Sequence, residues 1–105
     1  MSRPSSYTTS QYQAVHIYAL HCPDTGQIRY IGKANDAWRR YKSHIRDSRR
    51  RNTPVYRWIR KLALDNKKPK MSVLLSCCKN GWQECEKLII SSYKQSGIQL
   101  LNVAE

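Results

Sequence analysis

The chain has 105 residues, which is enough for one domain with a modest core, and we expect no second folded unit. Lysine and arginine number 19 against 7 aspartate and glutamate residues, and this formal net charge of +12 bears on the partners of the protein rather than on its fold. No apolar run approaches the roughly 20 residues of a membrane span, and the amino terminus lacks the apolar core of a secretory signal, so we expect a cytoplasmic protein with no membrane partner.

The first predicted elements are two strands that follow an irregular segment. Residues 1–13 are rich in serine, threonine, glutamine and tyrosine without periodicity, and we expect a flexible lead-in to a domain over 14–105. From Ala14 to Leu20 the residues alternate between two faces in the manner of a half-buried strand. Ile28–Ile31 is the returning strand of a predicted hairpin.

Two helices are predicted after the hairpin. Asn35-Asp36 can cap the first, in which Arg40 and His44 lie four residues apart beside an apolar stripe. Thr53-Pro54 begins the second, because a proline in the first turn loses no helical hydrogen bond. The basic stretch Ser48–Asn52 between them is predicted to be an exposed loop. The predicted apolar positions are Trp38, Tyr41 and Ile45 in the first helix and Val55, Trp58, Ile59, Leu62 and Ala63 in the second.

A third strand and a third helix complete the predicted fold. The apolar run Met71–Cys77 predicts a strand central in the sheet. A helix over about residues 82–95 ends before Gly97, and residues 100–102 are expected to dock on the sheet. The order β-β-α-α-β-α, with a hairpin first, predicts an α+β fold with a small three-stranded antiparallel or mixed sheet flanked by helices. The core positions predicted for the third helix are Trp82, Cys85, Leu88, Ile89 and Tyr93.

Positive charge is concentrated in the middle of the chain. Thirteen basic and two acidic residues lie between Arg39 and Lys70, so this segment carries thirteen minus two, or +11, of the formal +12. Such a concentration is typical of a surface that binds the phosphates of DNA or RNA. The alternative is a solvated basic face without a specific ligand.

Two tyrosine motifs stand in the predicted hairpin, which brings both phenols to one face of the sheet. The first is His16-Ile17-Tyr18 and the second is Tyr30-Ile31-Gly32. The series continues with Arg40, His44, Glu86 and Asn102. Together these positions resemble the GIY-YIG endonucleases, a family that includes phage homing endonucleases, some restriction enzymes and the incision domain of bacterial excision repair. The resemblance runs from about Ala14 to Asn102, and His16 stands where the first motif of the family has glycine.

The resemblance implies a catalytic role for both tyrosines. Tyr30 is the candidate general base or water-positioning group, and Tyr18 would bind the same water or phosphate. Since a free phenol titrates near pH 10, Tyr30 needs help at neutral pH. Lys33, three residues on, could lower the pKa of Tyr30 as a neighbouring cation or bind the phosphate.

A carboxylate on the third predicted helix is the candidate metal ligand. Mg²⁺ often takes only one or two protein carboxylates together with water and phosphate oxygens. Glu86 lies at the edge of the apolar stripe and precedes the apolar pair Ile89-Ile90, as the glutamate of the family does, whereas Glu84 points further toward solvent. The expected cofactor is therefore Mg²⁺ or Mn²⁺, bound at Glu86, and an ordinary solvated carboxylate is the alternative.

The remaining site residues follow from the same comparison. Arg40 can make a bidentate contact with the scissile phosphate, and the family interval favours it over Arg39. His44 is a candidate for binding the phosphate or the nucleophile, and Asn102 for bracing the site. Gly32 is expected to leave room for the substrate. The predicted nucleic-acid contacts are Gly32, Arg39, Lys42, Arg46, Arg49, Arg50 and Arg51.

Two functions are compatible with these residues. The first is a metal-dependent endonuclease that hydrolyses phosphodiester bonds of DNA, one strand per active site, with RNA as an alternative substrate. The second is a nucleic-acid-binding module on the same scaffold, with weak or absent catalysis. In either case we expect specificity to come from the basic loop, from a homodimer or from a protein partner.

Overall fold

A computed structural model describes residues 14–102 of the chain. The expected lead-in over 1–13 lies outside the described residues. None of the helices within 14–102 combines the length and the apolar character that a membrane crossing requires. The elements follow the predicted order, with β1 at Ala14–His21, β2 at Ile28–Ala34, α1 at Ala37–Asp47, α2 at Pro54–Leu64, β3 at Lys70–Cys78 and α3 at Trp82–Gln95.

The three strands form one antiparallel sheet in the order β2-β1-β3, which confirms the predicted fold class. The position of two strands differs from the prediction. β1 is the central strand and is buried on both faces, with Ile17 and Tyr18 on opposite sides, so it is not half-buried. β3 is an edge strand, where Val73 and Leu75 are 48% and 42% exposed. β3 pairs only with β1, so the apolar run Met71–Cys77 belongs to an edge strand and not to a central one.

One face of the sheet packs against α1 and α2. Its buried core includes Tyr18 and Leu20 from β1, and Val55, Tyr56 and Ile59 from α2. Val55 and Ile59 are buried and Trp58 packs against them, which confirms three of the five positions predicted for α2, whereas Ala63 is exposed. The buried Tyr56 was not predicted. This face mixes aliphatic with aromatic side chains, and it carries most of the candidate site residues.

The opposite face packs against α3 and is aliphatic. Ile17, Ala19 and Ile31 are fully buried there, and Ile89 and Tyr93 pack over them as predicted. Leu88 was predicted to lie in this core and is 69% exposed. Burying Ile17 and Ile31 contributes about 1.5–3 kcal/mol each, so this face supplies ordinary hydrophobic stability.

The helix starts follow from their capping residues. A carboxylate oxygen of Asp36 accepts a hydrogen bond from the backbone N–H of Arg39 at 3.0 Å, which confirms the predicted cap of α1. Thr53 precedes Pro54 at the start of α2, also as predicted. Trp38 was predicted to join the apolar stripe of α1, but it is 58% exposed and stacks on the half-buried Tyr41.

The carboxyl-terminal segment runs along the free edge of β2. The backbone N–H of Leu101 donates to the carbonyl of Arg29 at 2.6 Å, and the Asn102 side chain bonds both backbone groups of Ile31. The predicted docking on the sheet is therefore confirmed. These hydrogen bonds attach the segment to β2, although residues 98–102 do not form a strand themselves.

Candidate active site

A groove lies along the edge of the sheet formed by β2. Because β2 is an edge strand, side chains from both faces of the sheet can meet beyond it. Two adjoining cavities of about 680 Å³ each occur there, and they share Tyr30, Arg40, Trp82 and Glu86. We call these two cavities together the edge groove. The lining also contains the predicted residues Tyr18, Gly32, Lys33, Arg39, His44, Arg51 and Asn102.

The floor of the edge groove contains a buried pair of polar side chains. The Tyr18 hydroxyl lies 2.6 Å from Nε2 of His44, and each residue is only 1% exposed. The ring of His44 also meets the rings of Tyr30 and Tyr56 at centroid distances of 5.3 and 5.7 Å. His44 was predicted to act in the site, and the structure places it at the centre of three tyrosines.

Burial fixes the protonation of this pair. Desolvation, with the Arg40 guanidinium adding to it, lowers the pKa of His44 from 6.5 to about 4, against a smaller opposing effect of Asp47. Desolvation, and secondly the Tyr30 phenol, raises the pKa of Tyr18 well above its ordinary value, although Arg40 opposes the rise. At neutral pH the imidazole is therefore uncharged and the phenol protonated. The Tyr18 O–H can then donate to Nε2 of His44.

Tyr30 is the more accessible of the two tyrosines. It is half-buried and lines both cavities of the edge groove, whereas Tyr18 lines only one of them and is buried. The two rings lie 6.3 Å apart at an angle of 44°. Of the two phenols, Tyr30 is thus better placed to meet a substrate, and Tyr18 to position its neighbours.

Gly32 makes the close approach of these rings possible. A Cβ atom at this position would lie 2.6 Å from the hydroxyl oxygen of Tyr18 and 3.0 Å from a ring carbon of Tyr30. Real Cβ atoms essentially never show the first distance, and the second is tighter than nine in ten of their contacts. The missing side chain was expected to leave room for a substrate, but in the structure the Tyr18 phenol takes that room.

The amino-terminal half of α1 forms one wall of the edge groove. Arg40 is half-buried and lines both cavities, while Arg39 is exposed and lines one of them. Arg40 is also close enough to affect the pKa values of Tyr18 and His44. The helical spacing therefore places a permanent positive charge next to Tyr18 and His44, and the role of Arg40 in binding phosphate stays a prediction.

The opposite wall comes from α3 and the end of β2. Glu86 is half-buried and lines both cavities, whereas Glu84 is exposed and lines neither. Burial raises the pKa of the Glu86 carboxyl, and the charge of Lys33 lowers it by a smaller amount. The Lys33 ammonium lies 4.6 Å from the centre of the Trp82 ring. Lys33 is thus a neighbour of Glu86 and Trp82, on the side of β2 opposite to Tyr30.

Asn102 braces the strand that carries the second tyrosine motif. Its amide oxygen accepts from the N–H of Ile31 at 3.0 Å, and its amide nitrogen donates to the carbonyl of Ile31 at 2.6 Å. Only a side chain with both a donor and an acceptor satisfies both groups of an edge residue in this way. Asn102 therefore fixes Ile31 between Tyr30 and Gly32.

The predicted nucleic-acid contacts are all exposed, apart from Gly32, but they do not form one surface. Arg39 and Arg51 line the edge groove. Lys42, Arg46 and Arg49 border a separate groove on the far side of α1. Arg46 and Arg50 also approach the Asp47 carboxylate, at 3.4 and 3.7 Å, in ion pairs between exposed arginines and a buried carboxylate.

Ser43, Trp82 and Tyr56 are among the neighbours of the site that were not predicted to belong to it. Ser43 and Trp82 line the edge groove, and Tyr56 lines one of its cavities and contacts His44. Helical spacing could have identified two of them, because Ser43 follows Arg40 by three residues and Trp82 precedes Glu86 by four. Tyr56 carries no comparable signal, since its place depends on the packing of α2.

His16 lies in regular strand pairing outside the lining of the edge groove. It pairs with Ala34 of β2 and Ser76 of β3, and its Nδ1 atom lies 2.7 Å from the Ser76 hydroxyl. The only residues of 14–102 with positive φ are Gly26, Asn66 and Gly97. The histidine is therefore accommodated in an ordinary extended backbone at the first motif.

Comparisons with known proteins add no relative. The chain matches no protein-family model, no curated protein and no solved structure. The resemblance to the GIY-YIG endonucleases accordingly stays a prediction based on the motifs.

Proposed function

We propose that the chain is a divalent-metal-dependent endonuclease of the GIY-YIG type, which hydrolyses phosphodiester bonds of DNA in the cytoplasm and cuts one strand per active site. The observation that carries the proposal is the convergence of Tyr30, Arg40 and Glu86 on one groove, although they come from three different elements. Tyr18 and His44 form the buried floor beneath them.

The carboxylate of Glu86 fits the expected metal. No group of three or more histidine, cysteine, aspartate or glutamate side chains within 14–102 forms a complete protein cage for an ion. Mg²⁺ and Mn²⁺ do not require one, because carboxylate, water and phosphate oxygens suit them and one or two carboxylates suffice. When bound at Glu86, such an ion would supply positive charge against the phosphoryl oxygens of the substrate.

The residues of the groove have separate tasks in hydrolysis. Arg40 binds the scissile phosphate through its guanidinium and offsets the charge that gathers on the phosphoryl oxygens. The phenol of Tyr30 orients the water that attacks phosphorus, and the Tyr18–His44 pair holds that phenol in place. The water oxygen forms the new P–O bond and gives up its proton to solvent, while the P–O bond to the leaving strand breaks and the departing oxygen takes a proton from solvent. Lys33 lies at the opposite wall, where a cation favours the departing oxygen.

Plasmid cleavage tests the proposal. Supercoiled plasmid is incubated with purified protein and Mg²⁺, and wild type is compared with Glu86→Gln and with the matched Glu84→Gln. We expect nicking by wild type and by Glu84→Gln, and a loss of about 10²-fold or more for Glu86→Gln, as for other groups that stabilise transition-state charge. Equal trace cleavage by all three proteins would refute the proposal.

The basic surface alone would give a different result. A module that only binds nucleic acid would bind DNA tightly with a steep dependence on salt and yield no metal-dependent product.

If cleavage occurs, single nicks should precede linear plasmid, because one groove holds one strand. A double-strand break then requires a second copy of the chain, a protein partner or two successive events.

A further inference from the structure

An aromatic pair stands on the side of α1 that faces away from the edge groove. Trp38 is 58% exposed and its ring stacks on that of Tyr41, with centroids 5.2 Å apart and planes 12° from parallel. The Tyr41 hydroxyl donates to the carbonyl of Pro69 at 2.7 Å, and this hydrogen bond holds the Tyr41 ring in place. We call Trp38 and Tyr41 the α1 platform.

A single exposed tryptophan needs no explanation in itself, because folded proteins expose much apolar surface. The α1 platform differs in two respects. Its rings are already stacked and held by a hydrogen bond, so a third flat group could add to the stack at little cost in side-chain entropy. It also lies beside a groove of about 400 Å³ bordered by Lys42, Arg46, Arg49 and Lys68.

The charge around the α1 platform selects the kind of partner. Lys42 places its ammonium 5.9 Å from the centre of the Trp38 ring, and none of the acidic side chains within 14–102 borders this groove. A flat aromatic surface ringed by cations suits a ligand that combines a π face with negative charge. An unpaired nucleotide of a nucleic-acid strand has both, and stacking on aromatic residues is how such strands are usually bound.

The α1 platform is within reach of the edge groove. Arg39 lines the edge groove and Arg46 borders the platform groove, and both project from the same stretch of α1. A helix with its side chains is about 10–12 Å across, so a strand that follows the surface of α1 passes from one side to the other within a few nucleotides. A strand held at Arg40 can therefore cross these cations and reach Trp38.

We propose that the α1 platform is a subsite that stacks an unpaired nucleobase of the DNA strand held in the edge groove, so that the protein prefers DNA with unpaired nucleotides beside the bound phosphate. This inference rests on the proposed function for the orientation of the strand. The expected class of substrate is DNA with a flap, a fork or a single-stranded end. The edge groove alone does not distinguish such DNA from intact duplex.

Equilibrium binding tests the subsite without cleavage. Fluorescence anisotropy is measured in EDTA with a labelled blunt duplex and with the same duplex carrying a short single-stranded flap. Wild type should bind the flap DNA more tightly. Trp38→Ala should weaken flap binding by about 5- to 100-fold, the usual range for one base stacked on an aromatic ring, and should change duplex binding by less than about 2-fold. Trp38→Phe should retain most of the preference.

A second variant separates stacking from apolar bulk and from folding. Trp38→Leu keeps a large apolar side chain on α1, and it should lose the flap preference as Trp38→Ala does. Equal losses on both DNAs, or a flap preference that survives Trp38→Leu, would overturn the subsite. If the preference depends on Trp38 but no DNA is cut with Mg²⁺, the proposed nuclease fails and the subsite stands. If DNA is cut without any such preference, only the subsite fails.

Discussion

The two faces of the sheet are equally well buried and chemically different. Ile17 on the α3 face is 0% exposed, and Tyr18, its neighbour on the α1 and α2 face, is 1% exposed. The first lies among aliphatic side chains. The second shares a hydrogen bond with a buried histidine, His44, whose other ring nitrogen has no hydrogen-bond partner among residues 14–102.

The chemical difference between the two faces separates the side chains that stabilise the fold from those that we propose have a function. An aliphatic core needs only apolar area, whereas a buried hydroxyl or imidazole costs free energy unless it is hydrogen-bonded. A chain selected for stability alone would fill both faces in the same way. The polar, aromatic face is therefore the part of the fold that requires a functional explanation, and variants matched across the two faces can test it.

The largest difference should come from deleting one hydroxyl on each face. Tyr30→Phe removes the phenol that we propose meets the substrate, and we expect the single-turnover rate of DNA cleavage to fall by about 10²–10⁴-fold, as for other groups that manage the attacking water. Tyr93→Phe removes a hydroxyl from the α3 side and should leave the rate within about 2-fold. Similar losses in both variants would erase the distinction between the faces.

The reverse pattern is expected for the aliphatic face. Ile17→Ala leaves a cavity among fully buried side chains and should reduce the free energy of unfolding by about 2–5 kcal/mol, measured by urea denaturation. The exposed Leu88→Ala should change it by less than about 0.5 kcal/mol. An Ile17→Ala variant with unchanged stability would show that the α3 face does not hold the fold together.

The buried imidazole gives the polar face a dependence on pH. Because the pKa of His44 falls from 6.5 to about 4 on folding, the unfolded chain binds more protons between these values. The stability contributed by neutral His44 is complete above about pH 6.5 and declines as the pH falls toward 4, by about 2 kcal/mol between pH 7 and 5.

Urea denaturation at pH 7 and pH 5 measures this loss. His44→Phe should remove it, whereas His21→Gln, which deletes an imidazole away from the edge groove, should retain it. Since Glu86 and other carboxyls are present in every variant, their contributions cancel in the comparison. An equal pH dependence in wild type and His44→Phe would contradict the assignment.

A smaller effect is expected at the glycine beneath the tyrosines. A Cβ at Gly32 would force the Tyr18 and Tyr30 rings apart, and overpacking of this kind costs about 1–3 kcal/mol. Cleavage by Gly32→Ala should fall together with its melting temperature. Gly81→Ala is the matched control, because a Cβ there meets nothing within 4 Å. A Gly32→Ala variant that melts and cleaves like wild type would mean that the rings can move apart freely.

Local patterns in the sequence predicted the elements, and they failed where the answer depended on assembly. Asp36 and Pro54 marked helix starts correctly because capping is a local interaction. The same kind of reasoning placed β3 in the centre of the sheet, since an apolar run does not reveal how many neighbours a strand has. Trp38 and Leu88 were predicted to be apolar contacts for the same reason, and both are exposed.

The candidate site shows the same limit. The helical phase of α3 correctly placed Glu86 at the edge of the apolar stripe and Glu84 in solvent, and Glu86 is the one that lines the edge groove. The neighbours of Lys33 could not be foreseen, because they depend on where α3 packs against the end of β2. The burial of His44 was hidden as well, since it requires α1, α2 and the sheet to enclose one ring.

A double variant gives the most direct test of the edge groove as one catalytic site. The rate of DNA cleavage by Tyr30→Phe/Glu86→Gln is measured in single turnover with Mg²⁺. The two single variants are measured under the same conditions. Residues that act as a unit are strongly non-additive. We therefore predict that the double variant is no slower than the slower single variant, within about 3-fold. Losses that multiply, or a wild-type rate no higher than that of the variants, would contradict a shared site in the edge groove.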